Sequence, residues 1–195
     1  MAVSIAVTSG KGGVGKTNSA VNMALALGKA GQRVLLFDAD FGLANTHIML
    51  GCNPTKTVAD FLNGTASLED TITDVDENVQ LIAGGSGLVE LLKIDDKARY
   101  RIVPAPSHLQ DKIDYMIVDC PAGASDSTLF FANAANIVLV VLVAEPTSFL
   151  DAYALVKAAH LEKGITDFSV LVNMADSART AETNFSKFRD IAMRF

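Results

Sequence analysis

The sequence predicts an α/β fold: a doubly wound, mostly parallel sheet with helices on both faces. Three observations carry that reading. Short, nearly wholly apolar runs of strand length recur along the chain, as in Arg33–Asp38, Tyr115–Asp119 and Ile137–Val143. Continuous apolar runs, rather than alternating ones, are what strands buried on both faces look like. The runs alternate with longer stretches of helical composition, and alternation of this kind builds βαβ units. The first strand is followed at once by a glycine-rich turn, Gly10–Gly15, which feeds a helix.

Taken in order, Val3–Thr8 reads as the first strand. Lys16–Lys29, with Ala20, Val21, Met23, Ala24, Leu25 and Leu27, suits a buried helix, and Gly31 supplies its stop signal. Arg33–Asp38 is the second strand, which completes one strand–loop–helix–strand unit. Val79–Ala83 is a strand before a Gly84–Gly85 turn; Tyr115–Asp119, Ile137–Val143 and Phe168–Asn173 are further strands. The β-branched content of Ile137–Val143 favours strand over helix and a central place in the sheet. Helices are expected at Thr57–Leu62, Gly87–Leu92, Ser127–Ala134, Phe149–Leu161 and Arg179–Met193, and every strand read this way runs parallel. Pro104 and Pro106 break any long helix in Ile94–Asp111.

Composition narrows the function. The chain has 195 residues, of which 50% are hydrophobic and 19% charged, enough for a sizeable core and too apolar for disorder. A single domain over residues 1–195 is expected. The formal net charge of −6 argues against a dedicated nucleic-acid binder whose affinity rests on overall charge. Cys52 and Cys120 form no CxxC or Cys/His cluster, so neither a disulfide scaffold nor a zinc site is expected, and Cys120 is expected to be buried and inert. His47, His108 and His160 lie far apart and support no histidine base. The N-terminus has no signal-peptide pattern, and the longest apolar run, Ile137–Ala144, falls far short of the roughly 20 residues that span a bilayer. A cytoplasmic protein is expected.

Chemistry concentrates in Gly10-Lys11-Gly12-Gly13-Val14-Gly15-Lys16-Thr17. Two glycines flanking four residues before Lys-Thr fit the P-loop template. Glycines let successive backbone N–H groups turn inward to form an anion-binding nest. The helix that begins at Lys16 adds its positive end. Lys16 then reaches the β- and γ-phosphates, and the Thr17 hydroxyl can sit on Mg²⁺. In an open parallel sheet, ligands bind beyond the carboxyl ends of the strands. That is where Asp38, Asp40 and Asp119 fall. A lysine-rich, magnesium-bound pocket suffices for phosphoryl transfer, which is catalysed mainly by positioning and charge neutralisation.

With its second lysine, Lys11, the loop resembles the deviant Walker A family of MinD/ParA-type P-loop ATPases. The resemblance runs over nearly the whole chain. The stretches Gly42–Asn45, Met49–Gly51, Thr57–Gly64, Gly85–Gly87, Ser125–Ser127, Glu145–Ser148 and Asp151–Lys157 look most like the flagellar-number regulators of that family (FlhG, also called FleN). The switch II stretch Asp119–Gly123 is closer to the MinD form.

The resemblance implies ATP and Mg²⁺ as cofactors, held by Gly10, Lys11, Gly12, Gly13, Val14, Gly15, Lys16, Thr17 and Asn18, with Asn173 on adenine. It implies Lys11, Lys16 and Asp40 as catalytic residues. Lys11 crosses a dimer interface to the partner's nucleotide, and Asp40 positions the attacking water. Metal contacts fall to Thr17, Asp38, Asp40 and Asp119, with Asp119 acting through water as the Walker B acid and Asp38 ordering the water shell. It further implies an ATP-dependent homodimer that slowly hydrolyses ATP. That switch would control flagellar number or placement and engage a signal-recognition-particle-type GTPase or a flagellar transcription regulator. The expected location is the cytoplasm, or the periphery of the inner membrane or cell pole.

The alternatives are a MinD-like division-site or ParA-like partitioning ATPase, and a non-hydrolysing nucleotide-binding scaffold. The chain is short for the family. If this sequence is complete, the C-terminal membrane helix and the N-terminal stimulating extension that the resemblance implies are both missing. Arg179–Phe195 is expected to turn Phe185, Phe188, Ile191 and Ala192 toward the core.

Overall fold

The computed structural model describes residues 2–41, 45–85 and 111–194. Seven strands form one sheet in the order β3-β4-β2-β5-β1-β6-β7. They are β1 (Val3–Ser9), β2 (Val34–Asp38), β3 (Ile72–Asp76), β4 (Val79–Ile82), β5 (Tyr115–Ala122), β6 (Ile137–Leu142) and β7 (Ser169–Val172). Six helices accompany them among the described residues: α1 (Lys16–Lys29), α2 (Thr46–Leu50), α3 (Val58–Leu62), α4 (Asp126–Ala134), α5 (Pro146–Lys163) and α6 (Ala178–Ala192). The sequence reading thus finds β1, β2, β4 to β7 and α1, α3 to α6. The expected helix at Gly87–Leu92, the proline segment from Ile94, His108 and Gly42–Ala44 lie outside the described residues.

One correction concerns the sheet. The expectation of a mostly parallel sheet holds, but the stricter one that every strand runs parallel does not: β3 pairs antiparallel with β4 at the edge. The strand was missed because Ile72-Thr-Asp-Val-Asp76 carries two aspartates and alternates in exposure rather than reading as an apolar run. An edge strand needs only one covered face, and charge there discourages pairing with another chain. The short α2 was also missed.

The chain falls into two compact units. The first comprises Met1–Ile5 and Thr17–Cys120. Here β2 pairs in parallel with β4 and β5 in aligned register, Leu36 opposite both Leu81 and Ile117. Those three side chains are fully buried. Helix α1 ends as the sequence implied. Gly31 (φ 80°) donates to the Gly28 carbonyl, and Gln32 to that of Leu27, which satisfies carbonyls the helix end would otherwise orphan.

The second unit comprises Ala6–Lys16 and Pro121–Phe195. Its core gathers Leu129 of α4, Val140 and Leu142 of β6, Ala152 and Leu155 of α5, and Phe188 of α6. The Phe149 and Phe188 rings lie 6.4 Å apart between centroids. Here too one expectation is corrected. Phe188 is buried, but Phe185 is 39% exposed and Asn184 is buried in its place. Asn184 and Ile191 flank Phe188 on one side of the helix and Phe185 falls on the other, so the buried stripe is turned away from Phe185. Similarly, β6 buries Val138 and Val140 to Leu142, while Leu139 is half-buried and Ile137 is exposed.

Candidate functional site

The glycine loop lies in the second unit. It leaves β1 at Ser9, whose hydroxyl donates to the Lys11 carbonyl at 2.9 Å, and Gly123 N–H donates to the Ser9 carbonyl at 2.8 Å. Gly13 and Gly15 have φ of 81° and 85°, a left-handed conformation that only glycine adopts without cost. Alternating left-handed residues are what turn successive N–H groups to one side and make a nest. Gly10 serves a different need: a Cβ there would run into the backbone of Asp151 and Ala152, so its glycine lets the loop lie against α5. Val14 is buried, and Lys16 is only 7% exposed at the first position of α1.

Lys11 lies where the sequence could not say. Its Nζ donates to Glu145 Oε2 at 2.6 Å and contacts Thr147 Oγ1 at 3.3 Å. The segment Glu145–Ser148 is shaped for this. Pro146 opens α5, and the buried Ser148 hydroxyl accepts the Val143 N–H at 3.1 Å, which closes the turn after β6. Glu145 and Thr147 are left exposed. Neither was singled out for this role; the only signal was that both belong to the Glu145–Ser148 motif.

Asn173 follows β7. Its backbone N–H extends the ladder to Leu142, and its side-chain amide donates to the Val14 carbonyl at 2.9 Å. A Cβ on Gly15 would collide with that amide. Asn173 therefore braces the loop. The next residue, Met174, is non-glycine with φ 54° and is 67% exposed.

The aspartates lie in the first unit. Asp38 and Asp119 are register partners at the ends of adjacent parallel strands, each 1% exposed. The Ala39 N–H donates to the Asp119 carbonyl at 3.0 Å, which carries the pairing past the end of β2. Burial pushes the Asp38 carboxyl above the usual carboxylate range, and the Asp119 charge adds to that rise, against hydrogen bonds from Thr46 and Asp40. The carboxylate accepts the Asp40 N–H at 3.1 Å on one oxygen, and on the other the Thr46 hydroxyl at 2.6 Å and N–H at 3.3 Å. Asp40 itself is half-buried.

Two buried carboxylates side by side are costly as anions unless a cation joins them. The donor set fits Mg²⁺, a hard cation that takes one or two carboxylates and completes its shell with water and phosphate oxygens. No group of three or more His, Cys, Asp or Glu among the described residues could hold a metal alone. Cys120 beside Asp119 is buried, as expected, and both cysteines are free thiols. No described helix is long and apolar enough to cross a membrane.

A nested glycine loop leading from β1 into α1 is the mark of a P-loop nucleotide-binding protein. The comparisons narrow that class. A family model described as "AAA domain" matches residues 2–167. The antiactivator FleN of Pseudomonas aeruginosa is 42% identical over 98% of this chain and 68% of its own length. The flagellum site-determining protein YlxH of Helicobacter pylori is 33% identical over 96% of this chain and 63% of its own. The septum site-determining protein MinD of Pyrococcus horikoshii, solved with Mg-ADP, superposes with a TM-score of 0.78 at 27% identity, over 95% of this chain and 77% of that one. The chain belongs to the MinD/ParA family of P-loop ATPases, the family of FleN. It spans about two thirds of the length of its two flagellar relatives.

Proposed function

We propose that this protein is an ATP-dependent molecular switch that binds Mg-ATP, pairs with a second copy and slowly hydrolyses the nucleotide, and so regulates flagellar number or placement. The observation that carries the reading is the loop Gly10–Thr17, nested by left-handed glycines and opening α1. In this reading the loop amides and Lys16 bind the phosphates, and the Asn18 side chain completes the phosphate contacts. Asn173 contacts adenine while it braces the loop. Thr17, Asp38 and Asp119 hold Mg²⁺, with Asp40 beside them; bound there, the ion would neutralise phosphate charge. Asp40 orients the attacking water. Lys11 leaves Glu145 and reaches the partner's nucleotide.

The flagellar role is supported by the likeness to FleN and YlxH. We propose a cytoplasmic protein that works at the inner membrane or cell pole and engages a signal-recognition-particle-type GTPase or a flagellar transcription regulator. The second reading, division-site selection, is favoured by the likeness to MinD structures. Specific ATPase activity measured against protein concentration tests the switch. Activity that rises with concentration and is abolished by Lys16→Ala supports it; no nucleotide binding refutes it. Counting flagella and misplaced septa in cells lacking the gene separates the two roles.

A further inference from the structure

The sequence reading assigned no role to Thr46. It opens α2 and is completely buried, yet its neighbours Ile48 and Met49 are exposed. Among the described residues, its hydroxyl makes the shortest hydrogen bond to the Asp38 carboxylate, 2.6 Å, and its N–H reaches the same oxygen at 3.3 Å. The other Asp38 oxygen receives the Asp40 N–H at 3.1 Å. One buried carboxylate thus binds both Asp40 and Thr46. Hydrogen bonds to a buried anion are short and strong, and losing one donor leaves charge uncompensated. Thr46 suits this task. A valine would fill the same space but offer no hydroxyl, and the hydroxyl is what the carboxylate uses.

We propose that Thr46 is a positioning residue: its hydroxyl sets the Asp38 carboxylate and, through it, the placement of Asp40. The proposal rests on the reading of Asp40 as the residue that orients the attacking water. The anchoring itself, by contrast, is tested without nucleotide.

The test compares Thr46→Val with Thr46→Ser. The valine variant should lower kcat about tenfold with KM for ATP unchanged within about twofold, and serine should restore the rate. In nucleotide-free protein, hydrogen exchange at the Asp40 and Thr46 amides should quicken in the valine variant and not in the serine variant. Equal turnover in the valine variant and wild type, or equal loss in both variants, would overturn the proposal. Equal exchange in all three proteins would do so as well.

A stability cycle checks that the hydroxyl acts through Asp38. Thr46→Val should lower the melting temperature less in an Asp38→Asn background than in wild type, because a neutral acceptor binds the hydroxyl more weakly. An equal drop in both, or a Thr46→Val chain that unfolds in both, would mean that the residue only packs. If wild type binds ATP but Asp40→Ala hydrolyses it normally, the reading of Asp40 fails. The exchange result on Thr46 would then still stand or fall alone.

Discussion

Glu145 holds the lysine on which the proposed dimer depends. Its removal should therefore promote pairing. The Lys11–Glu145 contact is short, 2.6 Å, but the side chains are 30% and 58% exposed. Exposed ion pairs contribute about 0.2–1 kcal/mol. With Thr147 as an additional acceptor, the upper end of that range applies at low salt. Each subunit must give up one such contact for Lys11 to cross. Glu145→Gln should then favour the dimer by up to about 2 kcal/mol, roughly 30-fold in the association constant. Salt screens exposed charges, with a Debye length of about 3 Å at 1 M. The gain should therefore shrink toward nothing at high salt. Sedimentation of wild type and Glu145→Gln with a non-hydrolysable ATP analogue and Mg²⁺, at low and high salt, measures both. A dimer weakened by the substitution would show that Glu145 supports pairing. An unchanged dimer at low salt would show that Lys11 does not have to leave.

Three further predictions concern the scaffold. Gly15→Ala should destabilise the protein by about 2–3 kcal/mol, from left-handed strain and the lost Asn173–Val14 bond, read by urea unfolding. In an Asn173→Ala background the clash disappears, so the two losses should add to less than their sum. Gly28→Ala should lower the melting temperature despite alanine's better helix propensity, because the new Cβ would strike Val79 Cγ2; Val79→Ala should relieve it. Arg33 binds Asp114 through side-chain and backbone donors and holds its carboxyl down to about 2. A depressed folded-state value means that this contribution is present above the unfolded value and is lost as pH falls from about 4 toward about 2. Asp114→Asn should flatten that part of the acid unfolding profile, followed by circular dichroism.

Much of this was legible because the period-free apolar runs of a parallel sheet and the glycine octamer are both local signals. Val34–Asp38 and Tyr115–Asp119 could be read from their residues alone, and their shared aspartate ends pointed to the same end of the sheet. The strand at Ile72–Asp76 could not be read, because two of its five residues are exposed and its pairing with β4 runs across the turn at Glu77–Asn78. Glu145, Thr147 and Thr46 were equally hidden. Their partners, Lys11 and Asp38, are distant in the chain or lie across a loop, and an ordinary Glu or Thr carries no mark of what it will touch. Phe185 misled because helical spacing defines a face but not where the core meets it.

The proposed nucleotide-controlled switch is built on Lys11, Lys16 and Asp40. Size-exclusion chromatography with light scattering, on wild type and Asp40→Ala, each with ADP and with ATP plus Mg²⁺, tests it most directly. The account predicts monomers with ADP and a dimer with ATP that Asp40→Ala makes persistent. A monomer of both proteins under every condition would contradict it.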